Sequence, residues 1–131
     1  NTERADLMQI HSMLGADQQI GTLLDWKQQG LIRYVGVTTA RTSQFAEIEQ
    51  VMNTRPIDFV QFNYSLSDRA AEERLLPLAI DKGIAVMINR PFASSNLFKD
   101  VIIAPPNALI QKYLRATYFQ TNLYSTGKME Y

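Results

Sequence analysis

The segment GLIRYVGVTT, residues 30–39, decides the fold because it joins a helix-ending glycine, an apolar strand and two hydroxyl residues. Three segments of the same kind recur at a nearly constant interval of about 26 residues: DLMQIH at 6–11, DFVQFN at 58–63 and IAVMIN at 84–89. A strand–helix repeat of this length is typical of the βα unit of a parallel α/β fold. We therefore expect parallel strands with helices between them.

The stretches between these strands have the periodicity of amphipathic helices. We predict helices at 16–29, 42–53 and 67–82, and the first is followed by Gly30, which suits a left-handed C-terminal cap. Pro77 lies inside the third helix, where it removes a backbone donor. Two alternatives stay open: the helix is kinked at Pro77, or two shorter helical pieces meet there.

The regular repeats cover residues 5–93, and the pattern becomes weaker after them. Residues 94–120 contain a candidate fifth strand (VIIA, 101–104) and a candidate helix at 107–120, and a polar tail follows at 121–131. No linker-like stretch divides the chain. We therefore expect residues 1–131 to form a single domain.

The bulk composition excludes several classes of protein. The chain has 13 basic and 13 acidic residues, so no net charge favours nucleic acid or an anionic membrane surface. It has no cysteine, which is compatible with a reducing compartment, and no apolar run approaches the roughly 20 residues of a membrane span. We expect a cytoplasmic protein. A single histidine argues against a multi-histidine metal site, so no metal is expected.

Polar residues lie at the strand ends, where parallel α/β folds place their chemistry. Residue type alone leaves two interpretations for each of them. His11 is either a hydrogen-bonded structural residue or a functional one, and Gln61 is either a satisfied core amide or a ligand contact. Thr38 and Thr39 are either strand-forming and capping residues or binding residues. Arg90 either forms a surface ion pair or meets an anion.

Four strings occur in the chain in a distinctive order and spacing: DLMQIHS, GLIRYVGVTT, IDFVQFNYS and KGIAVMINRPFA. Together they resemble the aldo-keto reductase superfamily, whose members are (β/α)8 barrels that reduce carbonyl groups with NADPH. The resemblance covers residues 5–93 and matches the fourth to seventh strands of that barrel. It implies an α/β fold of parallel βα repeats, a partial (half) TIM barrel of four or five strands with flanking helices.

The resemblance also implies roles for individual residues. His11 stands at the position of the histidine that helps polarise the substrate carbonyl, which makes it the candidate catalytic residue. Thr38 and Thr39 stand where the family has a Ser-Asn pair that hydrogen-bonds the nicotinamide carboxamide. Gln61 matches a glutamine that contacts the same carboxamide. The implied cofactor is NADPH or NADH.

Two further positions follow the fourth strand. Asn89 replaces the tyrosine that stacks on the nicotinamide, and Arg90 begins the turn that faces the pyrophosphate. The family's proton donor is a tyrosine tuned by a lysine and an aspartate, and all three belong to its first three strands, which this chain does not contain. We interpret the chain as a fragment or remnant of a carbonyl reductase that is not active alone. The alternative is a non-catalytic protein that binds a small ligand or assembles with itself.

The expected strand count has a consequence for assembly. Four or five strands cannot close an eight-stranded barrel, and a half-barrel exposes two sheet edges. We expect a homodimer or a higher homo-oligomer to cover these edges. A small molecule is the other partner that the strand-end residues imply.

Overall fold

The computed structural model of the chain describes residues 3–93. They form seven main elements in strict alternation: β1 (Ala5–His11), α1 (Ala16–Gln28), β2 (Ile32–Thr38), α2 (Phe45–Thr54), β3 (Phe59–Asn63), α3 (Leu75–Lys82) and β4 (Ala85–Asn89). Short 3₁₀ turns lie before α2 at Thr42–Gln44 and before α3 at Ala70–Glu72. The predicted strand at 101–104, the helix at 107–120 and the tail at 121–131 lie outside the described residues.

The four strands form one parallel sheet in the order β1-β2-β3-β4. Each strand therefore pairs with the strand that follows it in the chain, and a helix connects the two. This arrangement confirms the predicted fold class of parallel βα repeats. It also places the carboxyl ends of all four strands along one end of the sheet, which we call the carboxyl edge; the opposite end is the amino-terminal edge.

The helices cover one face of the sheet, and the core lies between the two layers. Val35, Val37, Val60 and Phe62 are fully buried on that face. Helix residues pack against them, among them Ile20, Ile48 and Leu75. Continuous apolar strands are expected where helices cover a parallel sheet. None of the helices described in residues 3–93 has the length and hydropathy needed to cross a membrane.

The opposite face of the sheet is concave. The side-chain amide of Gln9 on β1 lies 3.9 Å from the sulfur of Met87 on β4, across two intervening strands. Neighbouring strands are about 4.8 Å apart, so a flat sheet would hold these two strands roughly 14 Å apart. Contact between the two side chains therefore indicates strong curvature, as in part of a barrel.

The predicted cap of the first helix is confirmed. Gly30 has a φ angle of 77° and donates its backbone N–H to the carbonyl of Lys27. Leu31 donates to the carbonyl of Trp26. These two hydrogen bonds are the Schellman pattern, which turns the chain from α1 directly into β2.

The predicted third helix, 67–82, was wrong at its beginning. The α-helix starts at Leu75, and a separate 3₁₀ turn occupies Ala70–Glu72. Pro77 thus lies in the first turn of α3, where a backbone N–H has no partner within the helix. The break in the helical segment lies at residues 73–74, before Pro77, so neither alternative, a kink at Pro77 or two pieces that meet there, describes the structure. A proline in the first turn is accommodated because it has no preceding helical turn to clash with.

Asp58 connects several elements at the amino-terminal edge of the sheet. Its carboxylate accepts hydrogen bonds from the backbone N–H of Val35 at 2.9 Å and from Nζ of Lys27 at 2.6 Å. Its own N–H donates to the carbonyl of Val35, and its carbonyl accepts from Ala85. One residue therefore joins α1, β2 and β4 to the beginning of β3, at the edge that serves stability in this architecture.

Gly36 permits the close approach of β1, β2 and β3, and its replacement by alanine is the first test of the fold. A Cβ atom at Gly36 would lie 2.8 Å from the carbonyl oxygen of Phe59 and 3.0 Å from Cγ of Gln9. We expect Gly36→Ala to lower the free energy of unfolding by about 1–3 kcal/mol, measured by chemical denaturation. The control is Gly21→Ala inside α1, where the added methyl has open space and should stabilise by up to about 1 kcal/mol. Equal effects of the two substitutions would contradict this account of Gly36.

Asp58→Ala tests the connection at the amino-terminal edge. The substitution leaves the fully buried N–H of Val35 without its side-chain acceptor, and we expect a loss of about 1–3 kcal/mol in unfolding free energy. Lys27→Met removes only the partly exposed ion pair and should cost less than about 1 kcal/mol. Thermal and urea unfolding of both variants measure the difference. A larger cost for Lys27→Met would mean that the ion pair, and not the backbone contact, is the important interaction.

Candidate functional site

Four of the predicted residues meet at the carboxyl edge of the sheet. His11, Thr38 and Asn89 are the last residues of β1, β2 and β4. His11 lies opposite Thr38, and Thr38 lies opposite Gln61, in the parallel register. We call these four residues the strand-end site. Hydrogen bonds join the side chains of Thr38, Gln61 and Asn89, of which Thr38 and Asn89 are 51 positions apart in the sequence, and His11 ends the neighbouring strand β1.

His11 is the exposed member of the strand-end site. Its Nδ1 lies 2.7 Å from the hydroxyl of Ser12, and among the described residues its Nε2 has no hydrogen-bond partner. Ser12 and Met13 have backbone φ angles of 62° and 60°, in the left-handed region that residues other than glycine rarely adopt. The N–H of Ser12 donates to the carbonyl of Thr38 at 2.9 Å. This turn is therefore anchored to β2 and holds the His11–Ser12 pair at the edge of the sheet.

Thr38 and Thr39 differ in where their hydroxyls lie. The hydroxyl of Thr38 accepts a hydrogen bond of 3.4 Å from Nδ2 of Asn89 and so belongs to the strand-end site. The hydroxyl of Thr39 donates to Oε1 of Gln44 at 2.5 Å and accepts from the backbone N–H of Arg41. Thr39 is 2% exposed. Its hydroxyl thus stabilises the loop before α2, whereas its backbone carbonyl accepts from Asn89 at 3.1 Å.

Gln61 and Asn89 form a direct amide–amide contact. Nε2 of Gln61 donates to Oδ1 of Asn89 at 2.6 Å. Because Asn89 in turn donates to Thr38 and to the carbonyl of Thr39, the contact continues across the ends of β2, β3 and β4. Within residues 3–93, Oε1 of Gln61 accepts no hydrogen bond, so the amide keeps one acceptor for a further group.

The structure adds two residues to those that the sequence predicted. Asn63 is the last residue of β3 and is 7% exposed. Its Nδ2 donates to the carbonyl of Ala40. Its Oδ1 is buried and has no hydrogen-bond partner in the described part of the chain. Gln44 bridges two strand-end loops, because it also donates to the carbonyl of Ser12. The strand-end position of Asn63 was the available sequence signal. Gln44 gave none, since it lies in a segment with a helical pattern.

Arg90 follows β4 directly and is exposed. Its φ angle of 53° is again in the left-handed region, and its carbonyl accepts from the N–H of Ala93. The guanidinium forms no ion pair with the residues that the structure describes. A positive charge therefore stands beside the strand-end site with its donors available for an anion.

The described tyrosines and lysines do not form a pair at this edge. The hydroxyl of Tyr64 donates to the carboxylate of Glu72, which also binds Arg69 at 2.6 Å. Tyr34 packs edge-on against Phe59, and Lys27 is bound to Asp58 at the opposite edge. Lys82, the other lysine between residues 3 and 93, ends α3 before β4 begins. In residues 3–93, therefore, no lysine is placed to tune a tyrosine as a proton donor.

A cleft of about 400 Å³ lies elsewhere, between the beginning of α1 and α2. Asp17, Glu47 and Gln50 are among the residues that line it, and none of the predicted site residues does. The described residues also contain no group of three histidine, aspartate or glutamate side chains that could hold a metal ion.

Comparison with known proteins identifies the family. The model of the aldo/keto reductase family matches residues 1–116. The NADH-specific methylglyoxal reductase of Escherichia coli is 32% identical over 74 residues, which are 56% of this chain and 22% of that protein. The uncharacterized oxidoreductase YqkF of Bacillus subtilis is 32% identical over 99 residues, 73% of this chain and 31% of that protein. The chain thus spans less than a third of the length of these two relatives.

Solved structures show the same partial coverage. An aldo-keto reductase from Bacillus halodurans in its holo form is 30% identical with a TM-score of 0.61, over 72% of this chain and 32% of that one. An aldo/keto reductase from Klebsiella pneumoniae in complex with NADP and acetate is 21% identical with a TM-score of 0.63, over 87% of this chain and 41% of that one. The second likeness shows the fold alone. Since the family model matches most of the chain and the described strands have the expected order, the chain belongs to the aldo/keto reductase family.

Proposed function

We propose that this chain forms the nicotinamide-facing part of a carbonyl reductase that uses NADH or NADPH. The observation that carries the proposal is the hydrogen-bonded series Thr38–Asn89–Gln61, which leaves an amide oxygen available at the carboxyl edge of the sheet. One relative is an NADH-specific reductase, and a protein of the same fold binds NADP; both support a nicotinamide cofactor.

The free acceptors fit a nicotinamide carboxamide. Oε1 of Gln61 accepts no hydrogen bond within residues 3–93, and Oδ1 of Asn63 is buried without a described partner. Buried polar atoms are nearly always hydrogen-bonded, so the unpaired Oδ1 of Asn63 supports a group with donors nearby. Gln61 is half-buried, and its Oε1 is open to a donor from a ligand. A primary carboxamide has two N–H donors on one nitrogen. In this proposal Gln61 accepts from the carboxamide, and the hydroxyl of Thr38 holds Asn89 behind it.

His11 is the residue that we assign to the substrate. When Ser12 donates its hydroxyl proton to Nδ1, the neutral imidazole carries its own proton on Nε2. That N–H can donate a hydrogen bond to the oxygen of a carbonyl group, which gains negative charge during reduction, and so polarise the carbonyl without transferring the proton. A bound nicotinamide supplies the hydride. The methylglyoxal reductase among the relatives favours a small oxo-aldehyde as the substrate class.

Arg90 completes the proposed cofactor contacts. Its exposed guanidinium, which is free of described ion pairs, is placed to meet the negative charge of a pyrophosphate. The described tyrosines and lysines form no proton-donating pair at this edge, so the proton that follows the hydride comes from outside residues 3–93. We therefore propose that the described part binds the nicotinamide and orients the carbonyl, and that catalysis needs a further group.

A separate observation favours self-association. In the described sheet, β1 and β4 each have one neighbour. These two strands and the helices α1 and α3 carry exposed apolar side chains: Met8 on β1, Trp26 on α1, Ile80 on α3 and Ile88 on β4. We propose that two copies of this chain pair β1 of one with β4 of the other. Two such contacts around a two-fold axis give eight parallel strands in a closed ring.

Gln61→Leu tests the nicotinamide site. The substitution removes the free acceptor at similar volume, and we expect NADH to bind about five- to tenfold more weakly, since a net hydrogen bond contributes roughly 1 kcal/mol. Cofactor fluorescence and calorimetry measure the dissociation constant. The matched control is Gln28→Leu, an exposed residue at the end of α1, which should leave the affinity unchanged. An intact chain that binds neither NADH nor NADPH at millimolar concentration would refute the proposed function.

Light scattering with size-exclusion chromatography tests the proposed pairing. We expect the chain to elute with twice its own mass at micromolar concentration. Ile88→Lys places a charge at the edge of β4 and should shift the mass to that of a monomer. Leu66→Lys, at an exposed site after the central strand β3, should leave the dimer intact. A stable, folded monomer of the unmodified chain would contradict this proposal.

A further inference from the structure

The side-chain amide of Asn89 makes more hydrogen bonds than its position at the end of β4 requires. Its half-buried amide contacts three groups: Nδ2 donates to the carbonyl of Thr39 at 3.1 Å and to the hydroxyl of Thr38 at 3.4 Å, and Oδ1 accepts from Gln61 at 2.6 Å. Its backbone carbonyl also accepts from the N–H of Tyr64. Both the main chain and the side chain of Asn89 are therefore held in place.

The carbonyl of Thr39 determines which way the Asn89 amide is turned. A backbone carbonyl only accepts hydrogen bonds, so the side of the Asn89 amide that faces Thr39 has to be the NH₂ group. Oδ1 then faces Gln61. Two amide oxygens at 2.6 Å would repel each other, so Gln61 has to present Nε2 to Asn89. The backbone thus orients Asn89, and Asn89 orients Gln61.

This orientation determines what Gln61 offers to a ligand. With Nε2 bound to Asn89, Oε1 is the atom that the described residues leave without a donor. A glutamine without a partner can rotate its amide by half a turn and present either an oxygen or an NH₂ group. A glutamine held by Asn89 presents the oxygen, and it therefore favours a ligand with an N–H donor.

We propose that Asn89 is a positioning residue that fixes the polarity of Gln61, so that the strand-end site selects a primary carboxamide over a ketone of the same shape. This inference rests on the proposed nicotinamide function. It goes further because it assigns the selection to Asn89, which itself need not touch the ligand. A purely structural residue would affect both kinds of ligand equally.

The experiment compares NAD⁺ with its 3-acetylpyridine analogue, in which a methyl group replaces the carboxamide NH₂. Dissociation constants are measured by calorimetry for the intact chain, for Asn89→Leu and for the control Asn53→Leu. The amide of Asn53 donates to the carbonyl of Glu49 on α2 and makes no other hydrogen bond within residues 3–93. We expect the unmodified chain and the control to bind NAD⁺ about tenfold more tightly than the analogue, as one well-placed hydrogen bond allows. Asn89→Leu should bind the two with affinities within about threefold of each other.

Each result distinguishes the inference from the function on which it rests. Failure of the unmodified chain to bind either dinucleotide would overturn the proposed function, and the inference with it. Binding of both with equal affinity by the unmodified chain would overturn only the inference, and so would a preference that survives Asn89→Leu. If Asn89→Leu does not fold, as judged by circular dichroism, the smaller Asn89→Ser makes the same comparison. It removes Oδ1 and has the same expected outcomes.

Discussion

One register connects the four strands, and every contact of the strand-end site depends on it. His11 lies opposite Thr38, Thr38 opposite Gln61, and Asn63 opposite Asn89. A shift of one strand by a single residue would move its side chains to the other face of the sheet. Gly36 helps to hold this register, because β1 and β3 approach it too closely for a side chain. The chemistry of the carboxyl edge therefore rests on steric packing in the middle of the sheet.

The two edges of the sheet have different roles. At the amino-terminal edge, Asp58 uses its carboxylate and both backbone groups to join neighbouring elements, and these contacts serve stability. At the carboxyl edge, amides and hydroxyls are linked in series but leave oxygen atoms of Gln61 and Asn63 without described donors. Incomplete hydrogen bonding at one edge of a well-satisfied fold is typical of a binding site.

The sequence predicted the strands well because each is a short apolar run between turn residues, and it predicted the cap at Gly30 from the glycine itself. It failed at the beginning of α3, since Pro77 excludes a helix interior without saying which residue begins the helix. At the site, the spacing of the repeats placed His11, Thr38 and Asn89 at one edge, whereas Gln61, two residues before the end of β3, was identified through the family resemblance. The direction of the Thr39 hydroxyl was not predictable, because it depends on a contact with Gln44 in a neighbouring loop.

The most direct test of the account is an NMR titration of the ¹⁵N-labelled chain with NADH, followed through the side-chain amide signals. The account predicts that the signals of Gln61 and Asn89 shift together as the cofactor is added, whereas the signal of Asn53 on the outer helix α2 stays in place. Shifts confined to residues outside the carboxyl edge, or no shift of Gln61 at saturating NADH, would contradict the assignment of the strand-end site to the nicotinamide.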